Sequence, residues 1–218
     1  MPNYREQMPR PVEAMKMGLR LGPYTESFPW HLAHGTVIFE MRDSVTGALL
    51  AYWEKSNIVT RDAGILAARL FKNSQEPVAG RNNGLHMLAI GTGATGNLLS
   101  PDAPQATQRR LNTEIARKAF SSTQFRNGDG IAVAYPTNIV DFTATFGESE
   151  AVGPLNEMGL ISAYSSNPLD KNLISNGPDD YDPTIDVSGK DLLANYLTFG
   201  VVVKPALAVV TITWRFTF

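Results

Sequence analysis

The segment that most restricts this chain is its last one. From Ala206 to Phe218, the apolar Ala208, Val210, Ile212, Trp214, Phe216 and Phe218 alternate with Val209, Thr211, Thr213, Arg215 and Thr217. Successive side chains of a strand point to opposite faces, so a period of two commits this stretch to a sheet with one apolar face. An alternating segment ending in Phe also resembles the last strand of an outer-membrane barrel. That architecture needs at least about eight such strands and an export signal. MPNYREQMPRP at the N-terminus has no apolar signal core, so a soluble sheet is expected.

The same reading extends upstream. Thr36–Arg42 and Ala48–Glu54 read as two strands around the turn residues Asp43-Ser44-Val45-Thr46-Gly47, a hairpin. Thr60 to Lys72 reads as a short amphipathic helix. Thr60 sits at its cap, Asp62 in its positive first turn, and Ala63, Leu66, Ala67, Leu70 and Phe71 on one face. Further strands are expected at Leu85–Ile90, Ile131–Tyr135, Asn138–Phe146, Leu192–Phe199 and Ala206–Phe218, while Arg110–Phe120 fits a strand or a short helix. Gly147–Leu160 looks turn-like, and 162–190, rich in Ser, Asn, Asp, Pro and Gly, looks like one long loop. About seven strands and one helix predict a mostly β fold: an antiparallel sandwich or barrel-like sheet with one short α-helix packed on it. Residues 30–218 form a single β-rich domain in this reading.

Residues 1–29 differ from the rest. Five prolines interrupt helix and central strand alike, yet Met15-Lys16-Met17-Gly18-Leu19-Arg20-Leu21 is too apolar for a solvated tail. The expectation is an extended N-terminal arm that orders on a neighbouring subunit.

Composition narrows the function. The chain has 218 residues, 43% hydrophobic and 18% charged, with a formal net charge of -2. That is ample for a core and gives no electrostatic footprint for nucleic acid or an anionic membrane. Without cysteine there is no disulfide, thiolate metal site or cysteine nucleophile.

Candidate chemistry is sparse. Gly91-Thr92-Gly93-Ala94-Thr95-Gly96 matches G-x-G-x-x-G, but Pro101 and Pro104 exclude the helix that a pyrophosphate needs, leaving a glycine-rich strand exit. His31 and His34 are spaced like a helical metal pair, with His86 as the remaining imidazole, and Pro29 argues against that helix. Asp179, Asp180, Asp182 and Asp186 miss the calcium-loop spacing and read as a solvated acidic turn. Glu148, Glu150 and Glu157 offer paired carboxylates with no convergent partner. Tyr52 and Trp53 offer a carbohydrate platform, although alternation turns one of them into the core. No enzyme, cofactor or metal is expected.

The order of segments carries more than any motif. Leu66-Ala67-Ala68-Arg69-Leu70 precedes Leu88-Ala89-Ile90-Gly91-Thr92-Gly93, Pro101-Asp102 and Leu111-Asn112-Thr113-Glu114-Ile115-Ala116-Arg117-Lys118. The strand Asp141–Phe146, Glu157-Met158-Gly159-Leu160, Leu192-Leu193-Ala194 and the final strand follow. This succession over residues 57–218 resembles the baseplate-attaching N-terminal domain of phage tail-collar fibre proteins and related small tail proteins.

The resemblance implies a structural component of a tailed-phage virion, assembled in the host cytoplasm. It would be an adaptor, collar or baseplate piece that docks tail or fibre proteins as a symmetric homo-oligomer. It implies no catalytic residues, nucleic acid or membrane. With the sequence ending at the last strand, an adaptor, collar or wedge piece without a fibre shaft is expected. A capsid-decorating or neck protein is the near alternative, and a carbohydrate-binding module the distant one. Expected partner contacts are Met15, Met17, Leu19, Leu21 and Trp30 of the arm, with Trp214, Phe216 and Phe218 of an exposed edge strand open to another chain's strand.

Overall fold

The computed structural model describes residues 34–71, 84–163, 167–187 and 189–218. The arm residues Met15, Met17, Leu19, Leu21 and Trp30, together with His31, lie outside them.

The chain opens with β1 (His34–Asp43) and β2 (Leu49–Val59), followed by helix α1 (Arg61–Phe71) and β3 (Met87–Gly91). A small hairpin of β4 (Gly96–Asn97) and β5 (Ser100–Pro101) precedes β6 (Glu114–Ala119), β7 (Ser122–Arg126) and β8 (Ala132–Val133). Long strands β9 (Ile139–Phe146), β10 (Gly153–Ser162), β11 (Leu192–Lys204) and β12 (Ala208–Thr217) complete the fold. Ten of them hydrogen-bond in the order β6-β3-β10-β11-β2-β1-β12-β9-β7-β8, every pairing antiparallel. The fold is therefore mostly β and sandwich-like, with one short helix, and not a closed barrel.

β2 is the seam of the sandwich. Its residues Leu49 to Asn57 pair with β1, while Ile58 and Val59 pair with Tyr196 and Asn195 of β11. The sheet folds over at this strand. Val37 and Phe39 of β1, Phe146 of β9, and Ile212 and Trp214 of β12 pack against Leu88, Leu160, Met158 and Phe199 of β3, β10 and β11. Phe39 stacks on Trp53 at 4.9 Å, and Trp53 touches Phe199 at 4.9 Å, which fastens the two sheets across the seam.

The two sheets differ in cover. Among the described residues the outer face of β9 and β12 is half-exposed at its threonines, with Thr143 hydroxyl to Thr213 and Thr145 to Thr211 at 3.2 Å each, and Asp141 buried there beneath Arg126 and Arg215. The β3–β10–β11 sheet is covered on its outer face as well, where Leu111 closes over Met87, Ala89, Ile161, Leu193 and Tyr196. Helix α1 packs on the start of β11 through Leu66, Leu192 and Ala194, joined by Ile174 from the long loop.

Several expectations need correction. β12 is not an edge: it lies between β1 and β9, since a one-sided alternating pattern fits a central strand as well as a border one. Trp214 and Phe216 accordingly line the core, at 0% and 4% exposure, and are not surface contacts. Phe218 is exposed and stacks on Phe216 at 5.3 Å. The turn-like stretch 147–160 is mostly β10, a central strand buried from Leu155 to Ile161. Residues 110–120 resolve into the strand β6, and 122–126 add β7. Thr60 does not cap α1 with its hydroxyl, which donates to the Leu193 carbonyl.

Candidate functional site

Two features distinguish the molecule: a polar framework inside the covered sheet, and a strand flank left open beside it.

The framework centres on Glu157 of β10, which is fully buried. Its Oε1 accepts the backbone N–H groups of Gly93 at 2.9 Å and Thr113 at 2.7 Å. Its Oε2 accepts from Asn112 N–H at 3.0 Å and the Tyr196 hydroxyl at 2.7 Å. Four donors on one carboxylate satisfy a charge that burial would otherwise make costly. Burial and the neighbouring Glu157 push the Tyr196 phenol well up, so it stays a donor.

This carboxylate also explains the glycine motif. A Cβ on Gly91 would come 2.3 Å from the Thr113 carbonyl oxygen, and one on Gly93 would come 2.3 Å from Thr113 N and 2.7 Å from Glu157 Oε1. The glycines admit close backbone approach, and the Gly93 and Ala94 N–H groups are occupied by Glu157 and Asn156. No helix follows; the β4–β5 hairpin does. The strand-exit reading therefore stands, and the dinucleotide reading loses both its helix and its free donors.

Two buried arginines, with three ion pairs between them, extend the framework. Arg109 and Asp62, both with wholly buried side chains, pair at 3.0 Å, and Tyr181 lies 4.5 Å from the guanidinium. Burial pushes the Asp62 carboxyl up, while Arg109 pulls it down. Asp62 thus serves Arg109 inside the fold. Arg117 bridges Glu114 at 2.5 Å and Asp191 at 2.7 Å. The expected long loop is tied down by these groups: Arg109 donates to the Asp182 carbonyl, and Arg110 to those of Ile174 and Ser175.

The remaining sequence candidates disperse. Glu148 and Glu150 sit in the β9–β10 turn, where Ser149 and Ala151 hold left-handed φ values of 59° and 50°. Glu150 pairs with Lys118 at 2.5 Å and accepts Gly147 N–H at 2.6 Å, which holds it below the usual carboxylate range. Glu157 is far from solvent, so the three do not form a hydrolytic pair. Asp182 accepts from Thr184 N–H and hydroxyl. Among the described residues no group of His, Cys, Asp and Glu is arranged to hold a metal ion. Of Tyr52 and Trp53, Trp53 faces inward and Tyr52 outward.

The open flank belongs to β2. From Leu49 to Asn57 one flank pairs with β1; on the other no strand pairs with it among the described residues. Leu49, Leu50 and Tyr52 are 52%, 47% and 55% exposed. Beside it runs a cleft of about 170 Å³ lined by Trp53, Glu54, Lys55, Phe199 and Gly200. The facing stretch of β11 is occupied differently, since Val201 N–H donates to the Leu98 carbonyl at 2.8 Å. Leu98 and Leu99 are exposed alongside. Sequence reasoning missed this flank; the break of alternation in Ala48-Leu49-Leu50-Ala51 marks only the bulge of β2 opposite Met41 and Arg42.

No family model matches the chain, and no curated protein matches its sequence.

Proposed function

We propose that this protein is a structural component of a tailed-phage virion, an adaptor, collar or baseplate piece that works by protein–protein contact. The observation that carries an assembly role is the open flank of β2. Unpaired backbone groups beside exposed Leu49, Leu50 and Tyr52 offer a ready seat for another chain's strand.

The tail assignment rests on the segment resemblance. What supports it is that three of the resembling segments are neighbours in space: Gly91-Thr92-Gly93, Asn112-Thr113 and Glu157 meet at one carboxylate. An ordered set of short motifs that builds one rigid framework has a common physical reason to occur together. Its polar side chains are consumed in holding the fold, as a scaffold requires.

Immunogold electron microscopy of the phage that encodes the chain, with antibody raised against it, tests the reading. Label at the tail or baseplate is expected. Label over the head would move the role to capsid decoration or the neck, and unlabelled particles would overturn a virion role.

A further inference from the structure

We propose that Asn172–Val187 is a latch that opens as one unit from an intact sandwich, with Arg109 as the group that holds it shut. The inference stands apart from the virion role.

The base of the latch is closed on itself. Asp191 N–H donates to the Asn172 carbonyl at 2.9 Å, and Asn172 N–H donates back to the Asp191 carboxylate at 3.2 Å. Upstream, Lys171 is fixed on the Glu114 carbonyl at 3.1 Å; downstream, Leu192 already belongs to β11. The two ends therefore stay together whether the segment between them is docked or free, and no strand has to move.

The body is held differently from everything beneath it. Among the described residues it contributes no strand to a sheet. The carbonyls of Ile174 and Ser175 accept from Arg110 at 3.0 Å, and that of Asp182 accepts from Arg109 at 3.1 Å. Side chains thus supply the bonds that a ladder gives a strand. Ile174 is buried against Leu66, Leu192 and Ala194, with Ile185 and Val187 partly so. The rest is mostly Ser, Asn, Asp, Gly and Pro, which have little to bury. A segment with few apolar anchors and no ladder lies at the low end of local stability. Its platform does not depend on it: Leu192 pairs with Ser162 of β10, and Thr60 N–H donates to the Ala194 carbonyl at 2.9 Å.

Arg109 joins the two parts. Its Nε and Nη2 face the Asp62 carboxylate of α1 at 3.0–3.2 Å. Its Nη1 turns the other way, to the Asp182 carbonyl and, at 3.4 Å, the Asn176 side chain. The Tyr181 ring of the latch covers the same guanidinium at 4.5 Å. Opening returns this buried ion pair to water, which offsets part of what docking gains and narrows the gap between closed and open.

Native-state hydrogen exchange of the full chain, read by NMR, tests the latch. The N–H groups of Asp180, Thr184 and Ile185 are bonded within it. They should share one opening constant, larger than that of the β10 and β11 amides and weakly dependent on urea, while Asp191 at the base stays protected. Asp62→Leu with Arg109→Met leaves no orphan charge on the platform but removes the holder. It should speed exchange of the three latch amides about tenfold, with β10 unchanged. Latch amides that open at unrelated constants, that open only together with β10, or that ignore the double substitution each overturn the proposal.

Chymotrypsin reads the parent chain alone, whatever the variant does. Cleavage after Tyr181 should proceed while the sandwich is folded, and the fragments joined at that bond should stay associated in gel filtration. A bond cut only at urea concentrations that unfold β10, or fragments that separate, would sink the latch.

Discussion

Strands β9 and β12 bury Ala144, Phe146, Val210 and Ile212 on one face and leave Thr143, Thr145, Thr211 and Thr213 half-exposed on the other. Strands β10 and β11, by contrast, are covered on both faces. The first pair needs an apolar period and one charged cluster, in which the buried Asp141 carboxylate accepts from Arg126 and Arg215. The second must also account for every polar group it carries inward. Glu157, with four donors on one carboxylate, does so by specific partners and not by solvent. A sheet wet on one face tolerates error there; a sheet dry on both depends on each hydrogen bond.

Substitutions grade this contrast. Glu157→Ala, which orphans three part-buried N–H groups and the buried Tyr196 hydroxyl, should cost about 2–4 kcal/mol in urea unfolding. A loss under about 1 kcal/mol would break the comparison. Arg109→Met leaves Asp62 as an unpaired buried charge and should cost about as much. Asp62→Leu added to Arg109→Met should recover most of the loss, because the pair removed together leaves no orphan. Gly93→Ala forces a Cβ against Thr113 and should cost about 1–3 kcal/mol, with a lowered denaturant midpoint. On the open face, Thr213→Val exchanges one hydroxyl contact with Thr143 for a better strand former and should stay within about 0.5 kcal/mol of the parent.

The smallest effect is acid dependence at Glu150. Lys118 first, and Gly147 N–H next, hold its folded pKa below the usual carboxylate range. The unfolded chain therefore binds the proton more readily. The contribution is complete above the unfolded pKa and is lost as pH falls through the lowered folded value. Solvent screens the pair, so Glu150→Gln should flatten the acid limb of the stability profile by less than about 1 kcal/mol.

How far the sequence could be read follows the same division. β1, β9 and β12 were legible because one face of each alternates, and α1 was legible from Leu66 and its neighbours at helical spacing. β10 was hidden: Gly153, Pro154, Asn156 and Gly159 are turn formers by composition and Glu157 is charged, and only their partners make Asn156, Glu157 and Gly159 interior. Gly159, for example, is required where a Cβ would come 2.4 Å from Leu193 Cδ1 and 2.5 Å from the Asn195 carbonyl. Trp214 was misplaced because alternation gives the face of a strand and not its position in the sheet. The candidate site was the least legible part, since an open flank is defined by which strands fail to meet.

The pairing of β1 with β12 has a consequence in time. His34 faces Thr217 and Asp43 faces Ala208, so the second strand of the domain's first hairpin can form early, but the other flank of β1 must wait for β12. At ordinary rates of synthesis that wait lasts about ten seconds or more. During it the nascent hairpin carries Val37, Phe39 and Met41 uncovered. Closure of that flank is thus bound to the synthesis of β12, far along the chain from the hairpin it completes.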